Sequence, residues 1–381
     1  MTDPKKTDSI KSISQIGISD VVGTGVVAFF WFYLATLLDV ETYGELHYFI
    51  AIASFAYIIS MIGTRDVVTV YVSKKIKIAP TLFLLSLSVG IVAAIVIFGI
   101  YYRIDAAFLV LAFIINDLAI GYILGQKLFN SYAKYILTQK SLTILLGFGF
   151  YFILGPEGII FALALSYIHF LILIYKGLKT SPINFSTLKP RAGFIINNYA
   201  YSTLGGLRAN IDKLIIAPLL GFALLGNLVL AMQFYVILQI IPSLVFKYTL
   251  THDASGIPTT KVKLWTMVFA IVSCIGTIVL SPYIIPGFFP KFAEVVIAIQ
   301  ILSVCIIPDT LANIFYTSKF LGQEKSKNPL IATVIMVILT ALGIIILGPI
   351  YGILGVSFSF VLASFGQFTY LFFVNRALKT S

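Results

Sequence analysis

Charge is scarce in this chain: only 11 % of its 381 residues are Asp, Glu, Lys or Arg, where a soluble domain carries about 25 %. A molecule wetted over its whole surface is therefore excluded. No stretch is both long and polar enough to fold as a separate soluble domain. Cysteine is limited to Cys274 and Cys305, each inside an apolar run, so both read as small buried apolar side chains. Metal-ligand clusters are missing, and so is a Gly-rich loop followed by lysine that would cradle phosphates, which argues against nucleotide hydrolysis. No cofactor is implied. The loops opposite the basic ones are all short, too short for a catalytic ectodomain.

What the chain has is apolar length. The hydrophobic fraction is 59 % and the mean hydropathy +1.02. Runs of roughly 18–25 apolar residues, each long enough to cross about 30 Å of hydrocarbon, recur from end to end. We read spans at about 21–38, 46–63, 81–101, 106–125, 136–154, 158–175, 194–220, 224–246, 264–281, 293–317, 329–347 and 352–374, all helical because lipid cannot satisfy a free backbone. The start lacks a signal-peptide cleavage site, so the first span is expected to be retained. Ile10, Ile13 and Ile16 before it suggest a short interfacial helix.

Basic residues test the count. Alternate segments hold 22 of the 26 Lys and Arg, from Lys5, Lys6 and Lys11 through Arg65, Lys74, Lys75 and Lys77 to Arg376 and Lys379, whereas the opposite loops hold only Arg103 and Lys291. The positive-inside rule then requires an even number of spans with both termini cytoplasmic. The expectation is a multi-pass protein of the cytoplasmic (plasma) membrane. Its net charge of +11 matches an anionic inner leaflet and needs no nucleic acid.

Two echoes divide the spans into halves. ILGPEGI (Ile153–Ile159) joins spans five and six, and ILGPIYGI (Ile346–Ile353) joins spans eleven and twelve, 193 positions on. In both, Gly and Pro suit a tight turn. LLDVETYGEL (Leu37–Leu46) and LLGFALLGNL (Leu219–Leu228) match at an offset of 182. Six is even, so the halves share one orientation. The fold expected is all-α and polytopic, about 12 transmembrane helices in two parallel six-helix lobes around a central cleft. Residues 1–20 form a cytoplasmic segment, 21–178 the N-lobe, 179–193 a polar cytoplasmic linker with two prolines, and 194–381 the C-lobe. That is transporter architecture.

Ionisable residues at membrane depth are costly, about 2.5–3.5 kcal/mol each, and mark pathways or pairs. They are Asp117 in span four, Arg208, Asp212 and Lys213 in span seven, and Asp309 in span ten. Arg208 and Asp212 lie four apart on one helical face with Tyr201, and two readings stand. One is a structural ion pair; the other is a substrate-binding face where Arg208 meets an anionic group, since guanidinium suits phosphate or diphosphate, with Tyr201, Asp212, Lys213 and Arg65 as the further candidates. Lys213 points elsewhere and is expected to snorkel. Asp309 follows Pro308, which removes a backbone hydrogen bond in mid-span, and is a candidate proton or cation site. Asp117 is a second carboxylate for ion coupling, or pairs with the other half. Arg65 and Asp66 read as a solvated pair, with Arg65 adding a cation to the cleft if it reaches it. His169 reads as a hydrogen-bonded interior histidine.

Three stretches carry a family resemblance. LATLLDVETYGELHYFIAIASFAYIISMIGTRD (Leu34–Asp66) resembles the first helical hairpin of the polysaccharide (O-antigen, Wzx-type) flippases of the multidrug/oligosaccharidyl-lipid/polysaccharide exporter (MOP) superfamily. IDKLIIAPLLGFALLGNLVLAMQF (Ile211–Phe234) is similar to their Asp-Arg/Lys signature at span seven, with Asp212 and Lys213 in those positions. ILGPIYGILGVSFSF (Ile346–Phe360) is like their final turn. The resemblance implies alternating access by two lobes and export of a lipid-linked oligosaccharide, with a polymerase or glycosyltransferases of the same pathway as partners. Departures are the twelve spans, where many relatives have fourteen, and Leu225-Gly226 in place of a second Tyr-Gly. A cation-coupled multidrug antiporter, using H+ or Na+, is the other transport reading. A membrane polysaccharide polymerase or ligase is the enzymatic one, and it wants the outer loop that is missing here.

Overall fold

Lipid offers no partner for a backbone N–H, and every regular element of the computed structural model is helical. It describes residues 22–255, 257–292, 294–323 and 325–380; the proposed interfacial helix at Ile10–Ile16 lies outside them.

The helices are α1 (Val22–Leu37), α2 (Val40–Ser60), α3 (Arg65–Ser73), α4 (Ala79–Tyr101), α5 (Ile104–Gly125), α6 (Phe129–Leu154), α7 (Gly158–Leu165), α8 (Leu171–Leu178), α9 (Ala192–Leu220), α10 (Phe222–Leu238), α11 (Ile240–Ala254), α12 (Thr260–Phe288), α13 (Val295–Val304), α14 (Ile306–Thr310), α15 (Ser318–Gly322) and α16 (Lys327–Thr380). Seven stretches are long and apolar enough to cross a membrane, and two bent pairs, α2 with α3 and α10 with α11, raise the number to nine. Helix α16 breaks at Gly352, whose φ of 57° is not helical, and so supplies two spans. With the short α1 and the polar α9, the twelve expected spans are all present.

The described chain divides into two compact units. Unit 1 holds the residues up to Tyr33 and Phe49–Asn210; unit 2 holds Leu34–Tyr48 and the residues from Ile211. Each takes in part of α2 and part of α9. In unit 1, α9 packs on the second half of α2. The Tyr199 hydroxyl donates to the Ile59 carbonyl at 2.8 Å, and Asn210 Nδ2 donates to Ser54 Oγ at 3.2 Å. In unit 2, the start of α2 packs on the start of α10 through Gly44 and Gly226. The 182-residue offset between these glycines is that of the sequence echo.

The two units repeat each other in detail. The second span bends 42° between α2 and α3, and the eighth bends 45° between α10 and α11. Gly155 and Gly352 both adopt positive φ, at 73° and 57°. Three residues after each comes a glycine in close contact with backbone eight residues earlier. A Cβ on Gly158 would meet the Phe150 carbonyl at 2.8 Å, and one on Gly355 the Leu347 carbonyl at 2.1 Å. The structural offset here is thus 197, not the 193 of the ILGP echo. Gly348 does not turn the chain, and Pro349 lies inside α16. The second half carries one more helical turn before its reversal, so the repeated letters are displaced from the repeated turn.

The only two basic residues of the acid-side loops are both engaged. Arg103 forms a two-point ion pair with Asp105, Nε to Oδ1 at 3.0 Å and Nη2 to Oδ2 at 2.8 Å. Lys291 Nζ donates to the Leu37 carbonyl at 3.0 Å and the Leu38 carbonyl at 3.3 Å, at the negative end of α1.

Candidate functional site

Each unit buries a carboxylate of its fourth or tenth span beneath a tyrosine from its second or eighth. In unit 1 the carboxylate is Asp117, on α5. Its Oδ1 accepts from Arg65 Nε at 3.0 Å and from Arg65 Nη2, and its Oδ2 accepts from the Tyr57 hydroxyl. The register follows from helix packing. Arg65 begins α3, which runs parallel to α5 at an offset of 52, so that Thr69 Oγ1 also donates to the Gly121 carbonyl at 3.2 Å. Gly121 permits the approach, since a Cβ there would lie 2.7 Å from the Arg65 carbonyl. The guanidinium remains 44 % exposed while the carboxylate is 10 % exposed. Arg65 therefore pairs with Asp117 rather than with Asp66, and both partners lie in one unit. Distance in sequence hid the pair, because Arg65 sits at a span end where a solvated neighbour is the default.

In unit 2 the equivalent carboxylate is Asp309, 192 residues after Asp117. Its Oδ2 accepts from the Tyr235 hydroxyl, which in turn accepts from Gln239 Nε2 at 2.6 Å. Pro308 does interrupt the span, though by more than a kink: α14 ends at Thr310 and a π-helical segment, Leu311–Thr317, follows before α15. Such segments widen the helix and recur at functional sites. Here Asp309 opens on a cavity of about 150 Å³ lined also by Gln239, Ser243, Thr310 and Asn313. Oxygen donors of this kind suit a hard monovalent cation or a proton carried by the carboxyl. Tyr57, Tyr235, Gln239, Thr310 and Asn313 were not among the residues singled out from sequence. The sequence offset of 182 carries Tyr57 to Gln239 and not to Tyr235, the tyrosine that bonds Asp309, so the repeat alone did not point to the pair.

The charges of span seven are arranged otherwise than their spacing suggests. Asp212 is buried, and its two oxygens lie 3.2 Å from Lys213 Nζ. Lys213 does not snorkel; its side chain is 21 % exposed and curls back, because a buried carboxylate needs a counter-charge more than the ammonium needs the interface. Arg208 is exposed and forms no ion pair among the described residues. Tyr201, two turns earlier on the same face, is 68 % exposed. At 29 residues, α9 is amply long to cross a bilayer, yet it is not apolar enough to count as a span on composition alone. His169 is half-buried and hydrogen-bonded, its Nε2 3.1 Å from the Tyr135 carbonyl and its ring stacked on that of Tyr135. Cys274 and Cys305 are buried and free.

No family model matches the chain, and no curated protein matches it either. Solved structures do. A lipid II flippase MurJ in an inward closed conformation superposes with a TM-score of 0.71 at 16 % identity, over 95 % of this chain and 87 % of that one. An inward-facing multidrug resistance MATE family transporter of the MOP superfamily gives 0.69 at 15 %, over 97 % and 99 %. A MOP superfamily transporter from Pyrococcus furiosus, described as having a binding pocket of reversed polarity, gives 0.58 at 15 % over 96 % and 95 %. The chain has the fold of the MOP-superfamily transporters.

Proposed function

We propose that this chain is a flippase that exports a polyprenyl-(di)phosphate-linked oligosaccharide across the cytoplasmic membrane by alternating access of two lobes, with both termini cytoplasmic. The observation that carries the reading is the exposed face of α9. A polar helix within a membrane must border water, protein or a polar cargo. This one presents Tyr201 and an uncommitted Arg208 guanidinium, the group best shaped to grip phosphate at two points. Asp212 and Lys213, which neutralise each other, serve to set the helix beside that face. Asp117 is held by Arg65 and Tyr57, and we assign it a structural role. That weakens the antiporter reading, which wanted two such carboxylates.

Asp309 keeps one element of that second reading. Its oxygen-lined cavity supports H+ or Na+ coupling, and we assign the coupling ion to it. Deleting the gene should cause lipid-linked glycan to accumulate on the inner leaflet. Re-expression of wild type should clear it, and Asp309→Asn should clear it at a rate that no longer responds to an imposed H+ or Na+ gradient. Efflux of small cationic dyes without any change in the glycan pool would overturn the flippase in favour of the antiporter.

A further inference from the structure

At the basic end of unit 1, three connections meet around a cavity of about 450 Å³ lined by Ser73, Lys75, Lys77, Gln126, Lys127 and Thr180, among others. No carboxylate lines it. Among the described residues none of the three ammonium groups has an ion-pair or hydrogen-bond partner. Ala79, the first residue of α4, also borders the cavity, and no side chain caps that helix start. Pro80, the second residue of α4, has no N–H to offer, so the helix start adds chiefly its positive dipole end to the field of the lysines.

The lysines are brought together by a backbone device that appears twice. Lys75 and Lys127 have φ of 57° and 60°. Each ends a helix in the left-handed conformation, with the following residue reaching back: Ile76 N–H to the Tyr71 carbonyl at 2.9 Å, and Leu128 N–H to the Ile123 carbonyl at 3.2 Å. Glycine is the usual residue at such a C-terminal cap, and any L side chain there costs on the order of 1 kcal/mol. The parallel offset of 52 that joins Arg65 to Asp117 also joins Lys75 to Lys127, so α3 and α5 deliver both strained lysines to the same level. Besides these two, Tyr102 is the only non-glycine residue with positive φ among the described residues. Lysine stands twice where glycine would be less strained, so this device places two ammonium groups around a single cavity.

We propose that this cavity is a phosphate-binding site, taking a phosphate mono- or diester through Lys75, Lys77, Lys127 and the start of α4. Two sources share this chemistry: the headgroup of an anionic membrane lipid and a soluble phosphate. The site is separate from α9, and it stands whether or not the chain is a flippase.

The test uses the full chain in nanodiscs of phosphatidylcholine, alone or with phosphatidylglycerol added, and in phosphatidylcholine with inorganic phosphate at matched ionic strength. Binding to the folded state raises the melting temperature. The wild type should gain in at least one arm: gain with phosphatidylglycerol identifies a lipid headgroup, and gain with phosphate identifies a soluble ligand. The triple variant Lys75→Gln, Lys77→Gln, Lys127→Gln should lose that gain. A control removing equal charge elsewhere on the basic side, Lys176→Gln, Lys179→Gln, Lys189→Gln, should keep it. The double variant Lys75→Gly, Lys127→Gly should melt above wild type in neutral lipid, because strain is relieved, yet lose the anion-dependent gain. No gain in either arm, or a gain that the control loses equally, overturns the site.

Discussion

Gly44 and Gly226 are mutually indispensable where α2 crosses α10. A Cβ on Gly44 would stand 1.9 Å from the Phe222 carbonyl oxygen and 2.8 Å from the Gly226 nitrogen, and one on Gly226 would stand 2.0 Å from the Val40 carbonyl oxygen. Each glycine thus admits the other helix's backbone, and no rotamer change can relieve a clash with a carbonyl. Alanine at either position should destabilise the protein by about 1–3 kcal/mol as an overpacked contact. The double variant should cost less than the two singles together, because one separation of the helices accommodates both methyl groups. Thermal melting checks this, and wild-type melting of either single variant would show that the helices part without cost.

The Arg65–Asp117 pair makes an asymmetric prediction. Arg65 is 44 % exposed and Asp117 10 %, so losing one partner is not equivalent to losing the other. Arg65→Met strands a buried carboxylate and should cost about 3 kcal/mol. Asp117→Leu leaves a guanidinium that water already reaches and should cost about 1 kcal/mol. Combining them should restore most of the stability, as replacement of buried pairs by apolar side chains often does. Melting temperatures of the three variants settle the order, and an equal loss for both singles would contradict it. Since the pair is assigned a structural role, the double variant should also still export.

Spans and repeat were legible because they rest on periodic, additive signals: hydropathy along the chain and the sign of the loops. The site was legible only in part. Asp309 and Arg208 stood out as charges in apolar runs. The i, i+4 spacing of Arg208 and Asp212 permitted a bond, but Lys213, with a long flexible stem, satisfies Asp212 from the adjacent position instead. Arg65 and Asp117 are 52 residues apart, and only the packing of α3 against α5 reveals their contact. The ILGP echo was a true sign of duplication read in the wrong register, because an added helical turn displaces Pro349 from the reversal at Gly352.

At the end of α11, Asp253 ties three helices together. Its Oδ2 accepts from Lys263 Nζ and Ser318 Oγ, both at 2.7 Å, and its Oδ1 accepts from Thr259 Oγ1 at 3.0 Å. Burial acts to raise its pKa, but the hydrogen bonds from Lys263, Ser318 and Thr259 outweigh it and hold the carboxyl below its ordinary value of 3.8. A carboxylate with a depressed folded-state pKa contributes stability that is complete above its unfolded pKa and lost as pH falls through the folded one. The melting-temperature gap between wild type and Asp253→Asn should therefore be constant from neutral pH down to about pH 5 and narrow below about pH 4. A gap that stays constant down to pH 3, or widens, would contradict the assignment.

Arg208 separates cargo recognition from architecture. Its side chain is exposed and joins no ion pair among the described residues, so Arg208→Ala should change stability by no more than about 0.5 kcal/mol, as surface substitutions do. Export should nevertheless fall by an order of magnitude or more, since loss of a charge-assisted bond to phosphate is worth about 1.5–3 kcal/mol. Lys in its place keeps the charge but not the planar fork, and should recover only part of the rate. Asp212→Asn supplies the contrast: it leaves Lys213 as a poorly solvated cation, so it should lower stability and export together. Inner-leaflet accumulation of lipid-linked glycan, measured beside melting temperature for the three variants, distinguishes the cases. If Arg208→Ala exports normally, the phosphate contact lies elsewhere. If it loses stability as sharply as Asp212→Asn, Arg208 belongs to the scaffold of α9 and not to the path of the substrate.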